Sequence, residues 1–215
     1  MDIVLKIGGS LSKYPCELKE LCLEIGKLSK EFKILVVPGG AKFADVAREY
    51  HSIYGLSDDT SHWVAILAME QYGIILSELL PNSKVIRRIK DYRLVTAAGE
   101  IPIFLPYSYM LRVDPLKHSW DVTSDSISLY IACKIGAKKL VLIKDVDGVY
   151  DANGNLLDKV SIEWLSENKS CLDKYFPLLA SKCSIRRIFI INGLFPDRLR
   201  KVLYDKRTVC TEVIK

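Results

Sequence analysis

DIVLKIGGSL, residues 2–11, is the stretch that decides how this chain folds. Its first six residues suit a buried strand, and they include one cation, Lys6, just before two glycines and a serine. Because an unpaired ammonium is costly in a protein interior, Lys6 needs an anionic partner. Gly8 and Gly9 allow a tight turn with accessible N–H groups, and Ser10 can cap the helix that follows. The segment therefore predicts a phosphate-binding turn, and the alternative is a plain turn beside a lysine that reaches solvent.

Outward from this strand, apolar runs of strand length alternate with segments of helical periodicity. The run at 33–37 is largely apolar, and the apolar residues before it fall at helical spacing, which is typical of a βαβ unit in a parallel sheet. Residues 106–121 have no clear period and predict a functional loop, whereas 146–159 predict short extended segments joined by an Asn-Gly turn. The pattern is that of one α/β sandwich. It also predicts helices near 42–54, 60–80, 124–136, 161–167, 173–182 and 196–204, and strands near 84–88, 101–105, 139–144, 187–191 and 208–214.

The composition is that of an ordinary globular protein and excludes several classes. With 215 residues the chain is long enough for a sizeable core, and no apolar run approaches the roughly 20 residues of a membrane span. The sequence enters its first strand without a signal peptide, so we expect a cytoplasmic protein with no membrane partner. The net charge of +5 is spread over isolated basic pairs, which argues against a nucleic-acid partner and suits a small anionic substrate.

The six cysteines show no framework of bridges or metal ligands. They are scattered without a C-x-x-C pair, and Cys22 and Cys133 lie on apolar helical faces. We therefore expect reduced cysteines that pack in the interior, without disulfides. Metal-ligand spacing is absent and the chain has only three histidines, so no protein metal site is predicted.

Two further segments stand next to predicted strand or helix ends. Pro38-Gly39-Gly40 follows a strand, and residues 123–126 open an almost wholly apolar helix. In a parallel sheet the ligand sits outside the carboxyl ends of the strands, so both glycine turns are expected to face one crevice. Ser124 or Asp125 can cap the helix, and Asp125 would lie at a buried helix start facing the same crevice. An ordinary turn and ordinary capping are the alternatives.

Lys144 ends the predicted strand at 139–144 and precedes DVDGVYD at 145–151. At a strand end Lys144 can meet phosphate oxygens, and the segment beyond it can cover a nucleoside. A surface turn built from its aspartates and glycine is the alternative.

The order of these segments resembles the amino acid kinase superfamily over essentially the whole chain. KIGGS at 6–10, PGG at 38–40, TSDS at 123–126 and DVDGVYD at 145–151 carry the resemblance, with Thr211 in the last strand. It implies an α/β fold, a three-layer αβα sandwich with a mainly parallel central sheet, above which ATP with Mg²⁺ and the acceptor lie side by side. It also implies that Lys6 stabilises the transferring phosphoryl group and that Asp125 organises the lysines around it. The implied ATP-binding residues are Lys6, Gly8, Gly9, Ser10, Lys144, Asp145, Asp147, Gly148, Tyr150 and Asp151.

A second catalytic lysine of the superfamily follows the nucleotide loop near a Gly-Met pair, which this chain lacks. Counting back from residues 190–193 places Lys174 near that position as the implied catalytic residue, and Lys182 fits less well. The terminal Gly-Thr pattern of the superfamily appears here as Cys210-Thr211, so Cys210 is interpreted as a packing residue.

Residues 38–48 and 118–125 resemble the members of the superfamily that act in methanofuran biosynthesis. That resemblance implies a small phosphorylated substrate, an aminomethyl furan with a methyl phosphate, which is converted to its diphosphate. Cations and backbone donors suit the phosphate, whereas an acid or an aromatic face suits the ammonium. For three of the candidate residues another role is open: Asp45 and Arg48 can pair with each other on a helix surface, and Trp120 can anchor a loop. The candidate acceptor-binding residues are Gly39, Gly40, Asp45, Arg48, Trp120, Asp121 and Ser124.

Together these segments predict an ATP-dependent phosphotransferase with a phosphate group as acceptor. A nucleoside monophosphate kinase is the alternative, and a non-catalytic nucleotide-binding or effector-binding domain is the alternative from another class. The chain is interpreted as one domain over 1–215, with an acceptor-side lobe at 1–144 and a nucleotide-side lobe at 145–215. The resemblance also implies a homo-oligomer, for which the largely apolar helix near 62–80 is either a subunit face or part of the core.

Overall fold

Strands and helices alternate along most of the chain. The computed structural model describes residues 2–185 and 187–215. The strands are β1 (Asp2–Ile7), β2 (Lys33–Pro38), β3 (Ser83–Ile86), β4 (Ile101–Phe104), β5 (Lys139–Lys144), β6 (Val149–Tyr150), β7 (Leu156–Leu157), β8 (Lys159–Ser161), β9 (Arg187–Asn192) and β10 (Thr211–Ile214). The helices are α1 (Pro15–Leu28), α2 (Ala41–Tyr54), α3 (Asp58–Leu79), α4 (Tyr92–Ala97), α5 (Tyr107–Val113), α6 (Ser124–Ile135), α7 (Ile162–Glu167), α8 (Phe176–Lys182) and α9 (Pro196–Leu203). None of these helices is long and apolar enough to cross a lipid bilayer.

Eight strands form one sheet in the order β3-β4-β2-β1-β5-β9-β10-β8. β1 lies near its centre and pairs in parallel with β2 on one side and with β5 on the other. β10 is antiparallel to β9, and the other described pairs of this sheet are parallel. The carboxyl ends of β1, β2 and β5 therefore lie at one edge, where Ile7 is in register with Pro38 and with Ile143.

The sheet separates two hydrophobic cores, because successive residues of a strand point to opposite faces. Ile3 and Leu5 belong to the core formed with α1, α9 and the second half of α3, whereas Val4 belongs to the core formed with α4 to α8. Helices thus cover both faces of a mainly parallel sheet, which confirms the predicted three-layer αβα sandwich. Lys6 alternates with Leu5 and Ile7, so its side chain lies on the same face as Val4 and α6.

Two short helices differ from the sequence prediction. Residues 106–121 are predicted to be a loop throughout, but α5 occupies Tyr107–Val113 and buries Tyr109 and Met110. A helix of 7 residues is too short to show a repeating period in the sequence. α4, with 6 residues, escapes prediction for the same reason.

The expectation of unpaired cysteines is wrong for one pair. Cys133 of α6 forms a disulfide with Cys183, directly after α8, and their Cα atoms are 6.0 Å apart. The two positions are separated by 50 residues and share no spacing motif, so only the packing of α6 against α8 brings them together. The other cysteines, which are free, are Cys16, Cys22, Cys171 and Cys210.

Candidate active site

The two glycine turns cross at the carboxyl edge of the sheet. The Gly39 N–H donates to the Ile7 carbonyl oxygen at 2.8 Å. A Cβ atom on Gly39 would lie 2.5 Å from the backbone nitrogen of Gly9, and one on Gly9 would lie 2.7 Å from the Cα atom of Ala41. Ala41 has a φ of 48°, in the left-handed region that favours glycine. The two turns therefore meet at one edge of the sheet, and glycine is required because the two backbones touch.

The close approach at Gly9 is open to a direct test. Gly9→Ala is expected to force the turns apart, because the new methyl group meets backbone atoms that no side-chain rotation can move. We expect a loss of about 1–3 kcal/mol in the free energy of unfolding from overpacking. A displaced turn also misaligns the site, so we expect kcat/KM to fall on the order of 10²-fold.

Gly26→Ala in α1 is the matched control for that variant. The atoms nearest to a Cβ atom on Gly26 belong to the side chain of Pro81, the closest at 3.3 Å, and we expect wild-type kinetics. Denaturant unfolding and steady-state kinetics measure both properties. Equal behaviour of the two alanine variants would contradict a special role for the turn at Gly9.

The centre of the site is a buried cluster of two lysines and one aspartate. Lys6 Nζ lies 2.8 Å from Asp125 Oδ1, and Lys144 Nζ lies 2.7 Å from Asp125 Oδ2. Lys144 Nζ also donates to the carbonyl oxygen of Cys171 at 2.7 Å. The three charged residues come from β1, the start of α6 and the end of β5, so the fold brings together positions far apart in the sequence. Asp125 is the anionic partner that the lysine in the first strand requires.

The charged groups of this cluster shift one another's pKa values. Burial opposes the charge of Asp125, yet the two neighbouring ammonium groups hold its pKa at about 2. Burial lowers the pKa of Lys6, and the Asp125 carboxylate offsets this only in part. Burial also acts against the charge of Lys144, but the attraction of Asp125 outweighs it and raises the pKa of Lys144. Two ammonium groups thus share one carboxylate, an arrangement that favours an incoming anion such as a phosphoryl group.

The first turn of α6 presents Asp125 to the lysines. The predicted cap at Ser124 or Asp125 is wrong: Thr123 is the N-cap residue, and its hydroxyl accepts from the Asp125 N–H at 3.4 Å. Because Thr123 takes the capping position, the Asp125 carboxylate is available to the two ammonium groups. Asp173 supports the same turn by accepting from the N–H groups of Thr123 and Ser126, each at 2.9 Å.

Ser10 links the first glycine turn to the residue that follows β5. Ser10 does not cap a helix as predicted, because it lies in the 3₁₀ turn Gly9–Lys13 and the next helix begins only at Pro15. Its hydroxyl instead donates to Asp145 Oδ1 at 2.6 Å. Ser10 and Lys144 therefore stand together at the same edge of the sheet.

The other residues of the predicted nucleotide segment lie in or beside the β6–β7 hairpin. Asp147 accepts a hydrogen bond from Arg198, and Gly148 packs against the hydroxyl of the first residue of β10. Asp151 accepts from backbone N–H groups of the hairpin turn, and Tyr150 is exposed. These contacts build the hairpin, and a role of its residues in binding ATP stays a prediction.

A cleft of about 400 Å³ opens above the lysine cluster, between α2, α3 and the residues that precede α6. The guanidinium of Arg48 lies 4.7 Å from the centre of the Trp120 ring. Asp45 also pairs with Arg48, at 3.5 Å, so the surface pair that the helical spacing allows is present at the mouth of the cleft. The predicted site residues that line the cleft are Lys6, Gly9, Ser10, Gly40, Asp45, Arg48, Trp120, Ser124, Asp125 and Lys144.

Two of the predicted site residues, one catalytic and one for the acceptor, pair with each other outside this cleft. The side chain of Lys174 is 87% exposed, and its ammonium pairs with Asp121 at 3.6 Å. Neither residue is among those that line the cleft. The structure therefore does not bring Lys174 to Lys6 and Asp125, and the second lysine of the cluster is Lys144.

The cleft also contains side chains that the sequence did not single out. His62 and Met69 come from α3, and Cys171 and Asp173 come from the segment before α8. His62 is buried, and burial lowers its pKa to about 4, so its ring is neutral at pH 7. No local sequence pattern marks these residues, because each reaches the cleft through the packing of distant elements.

Comparison with known proteins agrees with the fold and shows the family. The profile of the amino acid kinase family matches residues 1–174, so this chain belongs to the amino acid kinase family and is a phosphotransferase. The [5-(aminomethyl)furan-3-yl]methyl phosphate kinase of Methanocaldococcus jannaschii is 31% identical over 215 residues, which cover 98% of this chain and 97% of that protein. The uridylate kinase of Methanobrevibacter smithii is 29% identical over 238 residues and covers 100% of this chain and 99% of that protein. The structure of UMP kinase from Ureaplasma parvum shares the fold, with a TM-score of 0.79 at 20% identity over 100% of both chains.

Proposed function

We propose that this protein transfers the γ-phosphoryl group of ATP to a phosphate oxygen of its acceptor. The observation that carries this proposal is the buried cluster of Lys6, Asp125 and Lys144 beside the two crossing glycine turns. Phosphoryl transfer needs little covalent help from a protein and depends on aligned cations and backbone donors. The lysines are already paired and desolvated, so they need little reorganisation as charge develops on the transferring group. A phosphate oxygen is already anionic, so no strong general base is required.

ATP is assigned to the side of the cluster formed by residues 145–215, and the acceptor to the side formed by residues 1–144. Among the described residues, no group of three His, Cys, Asp or Glu side chains is arranged to hold a metal ion. We therefore assign Mg²⁺ to the phosphates of ATP and to water, because Mg²⁺ commonly binds proteins through substrate phosphates. When bound, the ion neutralises charge on the β- and γ-phosphates. Lys6 and Lys144 then hold the transferring phosphoryl group in line with the acceptor oxygen.

The acceptor that we favour is [5-(aminomethyl)furan-3-yl]methyl phosphate, which would become its diphosphate. The relative from Methanocaldococcus jannaschii, named for that substrate, supports this choice. Gly40, Lys6 and Trp120 line the cleft, and in this proposal the first two receive the phosphate while the Trp120 ring stacks on the flat furan. Asp45 is the carboxylate at the cleft mouth whose described partner is the exposed Arg48, so it can receive the ammonium group of the acceptor.

The role of Trp120 is tested by Trp120→Leu. Loss of the aromatic face is expected to raise KM for the furan phosphate roughly tenfold, because aromatic and cation–π contacts contribute about 1 kcal/mol or more. KM for ATP should not change, since the ring lies on the acceptor side. Trp164→Leu in α7 is the control, because Trp164 is also partly buried but lies outside the cleft. An unchanged KM for the furan phosphate in Trp120→Leu would remove this residue from the acceptor site.

The choice of acceptor is tested by ADP release from the wild-type protein across a panel of acceptors. The panel contains the furan phosphate, UMP, AMP, isopentenyl phosphate, carbamate and acidic amino acids, and we expect the highest kcat/KM with the furan phosphate. Activity with nucleotides alone would instead support a uridylate-like kinase, which the relative from Methanobrevibacter smithii favours. ATP binding without ADP release for any acceptor would support a non-catalytic nucleotide-binding domain.

A homo-oligomer in the cytoplasm, where ATP is available, completes the proposal. One side of α3 packs into the core, where Tyr72 and Leu76 are buried. Its other side exposes apolar residues, including Leu67 and Ile74, and this exposed side supports the proposal of a subunit face. A second copy of the chain would remove this exposed apolar surface from water.

A further inference from the structure

Asp173 makes an unusually complete set of hydrogen bonds for a carboxylate beside a cleft. Its Oδ2 accepts from the Thr123 N–H, the Thr123 hydroxyl and the Ser126 N–H, each at 2.9 Å. Its Oδ1 accepts from the Ser126 hydroxyl at 2.5 Å and from the Phe176 N–H at 2.9 Å. The first N–H groups of a helix have no partner within the helix. Asp173, which lies outside α6, accepts hydrogen bonds from N–H groups at its start.

The residues that Asp173 holds flank Asp125 on both sides. Thr123 precedes Asp125 by two positions, and Ser126 follows it directly. The hydroxyl cap that Thr123 supplies to Asp125 is long, at 3.4 Å, so the shorter bonds to Asp173 fix this turn. The segment that contains Asp173 also holds Lys144, through the carbonyl oxygen of Cys171 at 2.7 Å. One short segment, residues 171–173, thus supports both the carboxylate and one ammonium of the cluster.

We propose that Asp173 is a positioning residue for phosphoryl transfer: it locks the first turn of α6 so that Asp125 spans Lys6 and Lys144. This inference rests on the proposed kinase function. Asp173 does not touch the transferring group itself, and it acts through Asp125.

The charge of Asp173 gives this role a signature that a purely structural role lacks. The groups that face the two lysines are Asp125, Asp173 and, beside Lys144, the Cys171 thiol. The charge of Lys144 lowers the pKa of Lys6, whereas the negative charge of Asp173 raises the pKa of both lysines. Loss of that charge should therefore lower both lysine pKa values and move the alkaline limb of the kcat profile to lower pH.

Asp173→Asn is the direct test. Asparagine keeps one oxygen acceptor but loses the charge and sets an NH₂ group against N–H or hydroxyl donors. We expect kcat to fall about 10–100-fold, the effect common for residues that orient a functional group through hydrogen bonds. KM for ATP should change little, and the alkaline limb of kcat should shift to lower pH. Wild-type kcat with an unshifted limb would overturn the proposal.

Two further variants separate positioning from folding. Ser126→Ala removes one donor to Asp173 but leaves its charge, so we expect a smaller fall in kcat with the alkaline limb unmoved. Ser161→Ala removes the side-chain cap of α7, outside the cleft, and controls for the loss of a helix cap. We expect it to leave kcat and the pH profile unchanged. A fall in kcat for Ser161→Ala equal to that for Asp173→Asn would assign the effect to folding and contradict the proposal.

The lysine titrations are also measured without turnover, by NMR of the lysine side chains in wild-type protein and Asp173→Asn. Lower lysine pKa values in the variant support the position of the Asp173 charge beside the two lysines, even if no phosphate acceptor is turned over. Unshifted lysine titrations contradict it even if the wild-type protein is an active kinase. Failure of the kinase proposal would appear separately, as absent ADP release by the wild-type protein.

Discussion

Replacing Lys6 by methionine is expected to lower kcat about 10²–10³-fold, the usual effect of losing one preorganised electrostatic group. KM for ATP should change much less, because the Lys6 charge acts mainly on the transferring phosphoryl group. The variant should fold normally, since methionine fills similar space and Asp125 keeps Lys144 as a partner. Burial lowers the pKa of Lys6, which means that the buried charge of Lys6 is unfavourable for the folded state. The Lys6→Met variant has no such unfavourable charge.

The matched control is a second buried lysine at the opposite edge of the sheet. Lys139 begins β5, is fully buried, and pairs with Asp205 and with the Val202 carbonyl oxygen, both at 2.7 Å. Lys139→Met should lower the free energy of unfolding, because both groups lose the hydrogen bond from the buried ammonium, but it should leave kcat of the folded protein unchanged. Steady-state kinetics and denaturant unfolding of both variants give the comparison. Near-wild-type kcat in Lys6→Met would remove this lysine from the chemistry.

Replacing Asp125 by asparagine is expected to affect both activity and stability. Removing one partner of a buried charge cluster costs about 3–5 kcal/mol, because the remaining charges lose their compensation. Here two ammonium groups, those of Lys6 and Lys144, lose the same carboxylate. We also expect kcat to fall about 10²–10³-fold, because the lysines are no longer held around the phosphoryl group.

The pH dependence of unfolding gives a second measure of Asp125. Its pKa in the folded protein is about 2, below its ordinary value of 3.8, so its ionised form stabilises the fold. That contribution is complete above about pH 4 and is lost as the pH falls toward about 2. The difference in stability between the wild-type protein and Asp125→Asn should therefore shrink as the pH falls through this window.

Two companion variants of Asp125→Asn test the cluster. Lys6→Met combined with Asp125→Asn should be less destabilised than Asp125→Asn alone, because one uncompensated ammonium is gone. Asp205→Asn, which disturbs the buried Lys139, should lower stability without a direct effect on kcat. Strict additivity of the two changes in the double variant would contradict the direct coupling of Lys6 and Asp125.

The parts of the site that could be predicted from sequence are those with a local signature. A lysine in an apolar strand requires an anionic partner, and Lys6 has one in Asp125. The two glycines that follow it predict a tight turn with close backbone contacts, and such a contact is present at Gly9. The alternation of strand and helix patterns likewise predicted the sheet, because buried parallel strands leave a strong local signal.

The remaining parts depend on contacts between distant segments. The sequence predicts Lys144 at a strand end that can meet phosphate oxygens, but it does not predict its protein partners Asp125 and the Cys171 carbonyl, which lie on two other segments. The support that Asp173 gives to α6 and the Cys133–Cys183 disulfide have no local signature, since each joins positions about 50 residues apart. The prediction of Lys174 rests on its distance along the chain from residues 190–193, and such a distance does not show which way a loop residue points.

The most direct test of the proposed chemistry is ³¹P NMR of the reaction of the wild-type protein with Mg·ATP and [5-(aminomethyl)furan-3-yl]methyl phosphate. We expect the monoester signal to be replaced by two coupled diphosphate signals, in equal amount to the ADP formed. Inorganic phosphate as the only product beside ADP, or transfer to UMP with none to the furan phosphate, would contradict the proposed function.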